Sequence, residues 1–289
     1  CLMKPLLSIF LLLLSASAFS AGGRPRVYLS HFYIALDQAT YDALLKSPDI
    51  AALAGTEERR TVAGPSNWSG FYVYGRQTYM EFFAADTLPE GESKQDCGLG
   101  LAVEKAGGVN AVATQLRPVF GDKAKIDKQV RTISNGDIPW YSAAAVDAND
   151  PGAMVTWVME VDSSYLAAMH PGSFVKHPLS REQYLSWNFL PDRLLDAVVG
   201  IRAALNSVEM TQLANELELI GWSVHREGGG FLAKGPDASL EVVPGGSRMG
   251  IQRVALRLRR SVPKRVIELG SAKLVLDGKS GKLIFWGPE

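Results

Sequence analysis

The order of elements constrains this chain more than its composition does. Twice along the sequence a strand-like run leads into a helix and then into three short strands. Residues 26–36, Arg-Val-Tyr-Leu-Ser-His-Phe-Tyr-Ile-Ala-Leu, are rich in aromatic and β-branched types and predict a strand. Asp37 follows as an N-cap, and Tyr41, Leu44 and Leu45 repeat at helical spacing. Pro48 ends or kinks that helix, with a further turn at 50–54. Strands follow at about 58–63, 70–74 and 78–83, the last two joined by Gly75-Arg76-Gln77, and another at 99–103. The order recurs from residue 194. A strand at 194–205 precedes the capping pair Asn206 and Glu209. Met210, Leu213, Leu217 and Ile220 form one helical face, and Gly221 stops the helix. Strands are predicted at about 222–226, 230–234 and 238–243, with Gly228-Gly229-Gly230 as a hairpin turn. From Gly250 to Arg260, Val254, Leu256 and Leu258 alternate with Arg253, Arg257 and Arg259, which predicts a half-buried strand with a solvated basic face. Asp277-Gly278 predicts the turn of a C-terminal hairpin.

Between the two copies the pattern is less regular. A helix is predicted at 109–116 and strands at 138–146 and 154–161. Ser180 with Gln183 caps a helix that starts near Arg181. Trp140, Tyr141 and Trp157 lie here, as core residues or as the lining of an apolar pocket.

The first residues do not belong to this pattern. Lys4, an apolar run to Leu14 and the small residues Ser15-Ala16-Ser17-Ala18 predict a secretory signal peptide over 1–18. The run is shorter than the roughly 20 residues that span a bilayer. The expectation is an exported protein, periplasmic or secreted, with no stable membrane insertion after cleavage. Cys97 is then the one remaining cysteine, which excludes an internal disulfide. Composition adds exclusions. Thirty Lys+Arg balance thirty Asp+Glu, so the basic surplus of a nucleic-acid binder is missing. A 47% hydrophobic content excludes a disordered chain.

Three residues stand out on the strands. His31 lies in Leu29-Ser30-His31-Phe32-Tyr33-Ile34. Glu81 lies in Tyr79-Met80-Glu81-Phe82-Phe83, and Glu241 in Ser239-Leu240-Glu241-Val242-Val243. Strict alternation puts Glu81 on a face with Tyr79 and Phe83, and His31 on a face with Leu29, Tyr33 and Ala35. A carboxylate among aromatics is costly unless paired or metal-bound. Imidazole with carboxylates suits Zn, Fe, Mn or Ni. A hydrogen-bonded core pair of His31 and Glu81, with Glu241 exposed, is the alternative.

On these motifs the chain resembles the vicinal oxygen chelate superfamily, the glyoxalase, bleomycin-resistance and extradiol dioxygenase-like proteins. It resembles most an uncharacterised glyoxalase-like family of bacterial proteins. The likeness covers about 26–120 well and 194–260 loosely. It implies an α+β fold in which two β-α-β-β-β modules, 19–120 and 194–289 with C-terminal strands, form a half-open barrel. The segment 121–193 would be an irregular insert or linker with strands and a helix. It implies a divalent metal on His31, Glu81 and Glu241, with Glu81 also catalytic, in a lyase, isomerase or dioxygenase acting on a small molecule. The departures are Ala197 where the second module would offer a His, with Asp196 beside it on the opposite face, and Gly98 where some relatives place one. They favour the alternative, a metal-free module that binds and sequesters a small molecule.

Overall fold

The computed structural model describes residues 24–63, 66–85, 97–134, 136–147, 152–172, 175–176 and 178–287. The predicted signal peptide lies outside them. The fold is mixed α+β and strand-rich.

The first sheet has eight strands. β1 (Val27–Leu36) is followed by α1 (Gln38–Lys46), α2 (Pro48–Leu53), β2 (Gly55–Ala63), β3 (Ser66–Tyr74) and β4 (Tyr79–Ala84). The predicted caps are in place. The Asp37 carboxylate accepts from the Thr40 amide at 2.9 Å, and Pro48 occupies the first turn of α2, where no amide donor is needed. β4 returns parallel to β1.

β5 (Cys97–Val103) pairs antiparallel with the other side of β1. It starts a second run of the same order: α3 (Gly108–Phe120), β6 (Ala124–Ile133), β7 (Gly136–Val146) and β8 (Met154–Val161), with β8 parallel to β5. The spatial order is β2-β3-β4-β1-β5-β8-β7-β6. The segment expected to be an irregular insert with strands therefore supplies three strands of this sheet, β7 and β8 where strands were predicted and β6 besides. The sheet curls until its edges, β2 and β6, approach each other, so it forms a half-barrel with an interior face.

Two short helices follow, α4 (Ser163–Met169) and α5 (Arg181–Leu185). α5 is anchored by Arg181, whose side chain is 7% exposed. Its guanidinium donates to the Leu29 carbonyl at 2.5 Å, to Asp237 at 2.6 Å and to Glu104 at 3.1 Å.

The second sheet contains β9 (Leu195–Leu205), α6 (Ser207–Leu219) packed on it, β10 (Ser223–Glu227), β11 (Gly230–Lys234) and β12 (Ser239–Pro244), with β12 parallel to β9. Asn206 and Glu209 form the predicted capping box. Gly228 and Gly229 both take positive φ, 59° and 79°, as a two-residue hairpin requires. β13 (Gly250–Leu269) and β14 (Ala272–Ile284) complete this sheet in the order β10-β11-β12-β9-β13-β14. The C-terminal hairpin turns at Gly270-Ser271, not at Asp277-Gly278. Gly278 lies inside β14, opposite Val262, where the ladder is irregular. The tip of this hairpin reaches the first sheet's helices. The Ser271 amide donates to Thr40 at 2.9 Å, and Arg265 pairs with Asp49 at 2.8 Å.

One continuous core joins the sheets. Phe32, Ile34, Phe82, Leu99 and Leu101 on the first sheet's outer side share it with Ile201, Val254, Leu256 and Phe285. Phe285 lies 6.4 Å from Phe32 and 6.1 Å from Phe82, ring centre to ring centre. The half-barrel interior is left to a separate set of side chains.

Candidate functional site in the half-barrel

A β-bulge sets which side chains enter the interior. On β1, Leu29 pairs with Leu101 and His31 with Gly100, so one extra residue sits between them. Leu29 and Phe32 both reach the core, while His31 and Tyr33 face inward. Strict alternation would have placed Leu29 beside His31; the bulge corrects that expectation.

Glycines opposite these residues make room for them. A Cβ on Gly100 would lie 2.2 Å from His31 Cε1, and one on Gly98 would lie 2.2 Å from Tyr33 Cε1. The His31 ring stacks on Tyr79, with centroids 4.4 Å apart and an interplanar angle of 14°, and meets the edge of Trp157 at 5.2 Å. Its Nδ1 lies 3.2 Å from Ser30 Oγ. Burial lowers its pKa to about 3, so the imidazole is neutral at physiological pH.

Glu81 sits between Tyr33 on β1 and Tyr72 on β3, its cross-strand partners. Its side chain is 14% exposed, and Oε1 lies 4.0 Å from His31 Nε2. Burial raises its pKa to about 7, opposed by the charge of Arg59 and a hydrogen bond from Tyr79. From the other half of the barrel, Tyr141 on β7 comes close enough for the Glu81 charge to help burial push its phenol up to about 12. Phe83 packs edge-on to Tyr33 at 5.7 Å, and Trp157 lies 6.1 Å from the same ring.

The remaining interior is a polar–aromatic network. Arg59 on β2 stacks on Tyr72, 4.0 Å from the ring centre. It donates to Glu57 and to the Tyr74 hydroxyl, each at 3.0 Å. Trp68 on β3 stacks on Trp140 on β7 at 6.4 Å, across the barrel. Tyr184 of α5 enters between the two halves and accepts from Trp140 Nε1 at 3.1 Å.

Of the three residues singled out as metal ligands, His31 and Glu81 come together and Glu241 does not. Glu241 lies on β12 of the second sheet, where its carboxylate pairs with Arg202 and Arg253. Asp196 is held by Arg76 and Arg257. The arginines of β13 that sequence placed on a basic face are thus largely matched: Arg253 to Glu241, Arg257 to Asp196, and Arg259 over the Phe189 ring. Among the described residues no group of three His, Cys, Asp or Glu side chains converges. The strand positions beside His31 carry Gly100 and Trp157. These donors do not fit a three-ligand catalytic metal site. They place the buried Glu81 carboxyl and a neutral imidazole among aromatic rings.

Sequence pattern put Tyr33 on the His31 face without a role and missed Tyr72, Arg59 and Tyr184. The alternations His31-x-Tyr33, Tyr72-x-Tyr74 and Tyr79-x-Glu81-x-Phe83 carried the signal for three inward faces.

The architecture defines a mixed α+β protein with a half-barrel sheet whose interior is lined by aromatics around Glu81. A model of a family of unknown function, DUF5829, matches residues 29–285, and the chain belongs to that family. No curated protein matches the chain. Among solved structures it is similar to a hypothetical protein from Staphylococcus aureus, with a TM-score of 0.57 and 11% identity. That overlap covers 86% of this chain and 97% of the other, and it shows the fold alone. It also overlaps a xylose isomerase-like TIM barrel/4-hydroxyphenylpyruvate dioxygenase fusion protein, with a TM-score of 0.43 and 9% identity, over 79% of this chain and 36% of that one.

Proposed function

We propose that this chain is an exported glyoxalase-like protein whose half-barrel binds a small, largely aromatic or apolar molecule. The fold half of the reading is supported by strand–helix–three-strand runs at 27–84, 97–161 and 195–244, each with its last strand parallel to its first. In this reading the first two runs form the ligand-binding half-barrel, and the third supports it through the shared core. The observation that carries the functional half is the ring of aromatics around Glu81. Tyr141 and Trp157 are each only partly buried, so part of each ring is open to solvent, where a ligand can meet it. Export rests on the 1–18 signal, and a mature N-terminus at Phe19, or at Gly22 if cleavage follows Ala21, is its test.

A second reading is favoured by the 4.0 Å between His31 Nε2 and Glu81 Oε1 and by the neutral imidazole. There the same two residues hold a divalent ion, with other positions open to substrate, and Glu81 is a catalytic group. One experiment separates the readings. Elemental analysis of the purified protein is combined with titration of aromatic fragments, before and after chelator treatment, in wild type, His31→Ala and Glu81→Gln. The first reading predicts fragment binding that survives chelation. Stoichiometric metal lost in both variants, with binding lost on chelation, replaces it with the second. No fragment binding in any form overturns both.

A further inference from the structure

The charges inside the half-barrel are unequally matched. Arg59 is committed to Glu57 and Tyr74, and Arg131 donates to the Tyr165 hydroxyl at 2.7 Å. Glu57 is further held by Tyr74 at 2.8 Å and Asn188 at 3.3 Å. Glu81 differs. Among the described residues no Lys or Arg lies within 4.0 Å of its carboxylate, and its one ion-pair-range neighbour is the buried His31. Its compensation is a hydrogen bond from Tyr79 and the charge of Arg59 beyond Tyr72, and a carboxylate among rings with no cation in direct contact is expensive. The rings around it supply the other half of a recognition site, because aromatic faces carry partial negative charge and attract cations. Tyr33 and Tyr72 flank Glu81 across the ladder, Trp157 lies 6.1 Å from the Tyr33 ring and 5.2 Å from His31, and Tyr141 on the other half of the barrel lies within reach of the Glu81 charge. An anion in the same place would meet Glu81 directly, and the nearest arginine is already paired.

We propose that the half-barrel binds an organic cation, an amine or quaternary ammonium, seated against Glu81 and boxed by Tyr33, Tyr141 and Trp157. The inference rests on the half-barrel being the ligand site. It goes further by naming the charge of the ligand.

The test uses the full chain and three probes of similar size: benzyltrimethylammonium, its neutral carbon isostere neopentylbenzene, and phenylacetate. Binding is read by calorimetry or ligand-observed NMR. The cation should bind at least about tenfold more tightly than the neutral isostere. Glu81→Gln, folded as judged by an unchanged circular-dichroism spectrum, should shrink that preference to what the rings alone supply. Trp157→Leu should weaken the cation. Equal binding of cation and neutral isostere in wild type overturns the inference and leaves the ligand site standing. Tighter binding of phenylacetate than of the cation also overturns it. Failure of all three probes overturns both the inference and the ligand site beneath it. The preference is read in wild type, so it needs no variant to fold.

Discussion

Gly100→Ala is the sharpest probe of how the site is built. The new methyl would lie 2.2 Å from His31 Cε1, 2.5 Å from Nδ1 and 2.6 Å from Nε2, more than an ångström inside ordinary contact. The imidazole is the end of a side chain and would normally swing away. Here it is stacked on Tyr79, edged by Trp157 and 5% exposed, and Tyr79 is itself backed by Tyr74 at 5.8 Å. Overpacking of this kind costs about 1–3 kcal/mol. Replacing a strand glycine returns about 0.5–1 kcal/mol through the unfolded chain, so a net loss of about 1–2 kcal/mol is expected. For a chain of this size that lowers Tm by roughly 2–4 °C. In a His31→Ala background the clash has no partner, and Gly100→Ala should be neutral or slightly stabilising. The coupling between the two changes should reach about 2 kcal/mol, measured by urea and thermal unfolding of all four forms. The same cost for Gly100→Ala in both backgrounds, or no cost in wild type, would refute the placement of His31 against β5.

Three further outcomes follow from the geometry. Burial raises Glu216 on α6 to about 7, so the folded chain holds its proton more tightly than the unfolded one. The stability this group contributes is full below about pH 4.5 and is lost as pH rises through 7. Glu216→Gln should flatten that window and gain on the order of 3 kcal/mol at pH 8; an unchanged pH profile of unfolding would refute it. Arg181→Ala strands the Leu29 carbonyl, Glu104 and Asp237, and should cost about 2–4 kcal/mol. It should also speed amide exchange in 178–190, and unaltered exchange there would contradict the anchoring role of Arg181. Glu241→Gln removes a partly exposed pairing with Arg202 and Arg253, so it should cost no more than about 1 kcal/mol and leave probe affinity unchanged. A loss of probe binding would return Glu241 to the site.

Local signals in the sequence were legible where one element decides its own structure. Asp37, Pro48, Asn206 with Glu209, and Gly228-Gly229 act within a few residues, and each does what its chemistry predicts. The segment 124–133 was not legible as a strand. β6 is a sheet edge with only Ala124 fully buried, so alternation along it is faint. Its identity depends on pairing with β7 and on the curl of a sheet whose central strands come from elsewhere in the chain. The repeat from 194 onward has the same element order as 27–84, but it joins a different sheet, and this separates Glu241 from His31 and Glu81. A motif match fixes a position on a strand and leaves open which sheet the strand enters. The bulge at Leu29–His31 is likewise invisible to a period-2 reading. The Asp277-Gly278 signal was met by a ladder irregularity inside β14, because Gly270 with φ +67 already turns the chain.

The central claim is that the interior of the eight-stranded half-barrel, around Glu81, is where this protein meets its ligand. Chemical-shift mapping of the full chain with benzyltrimethylammonium tests it most directly. The account predicts perturbations centred on Tyr33, Tyr141 and the Trp157 indole, needing more probe to reach in Glu81→Gln. Perturbations centred on Arg202, Glu241 and Arg253 of the second sheet, or none at saturating probe, would contradict it.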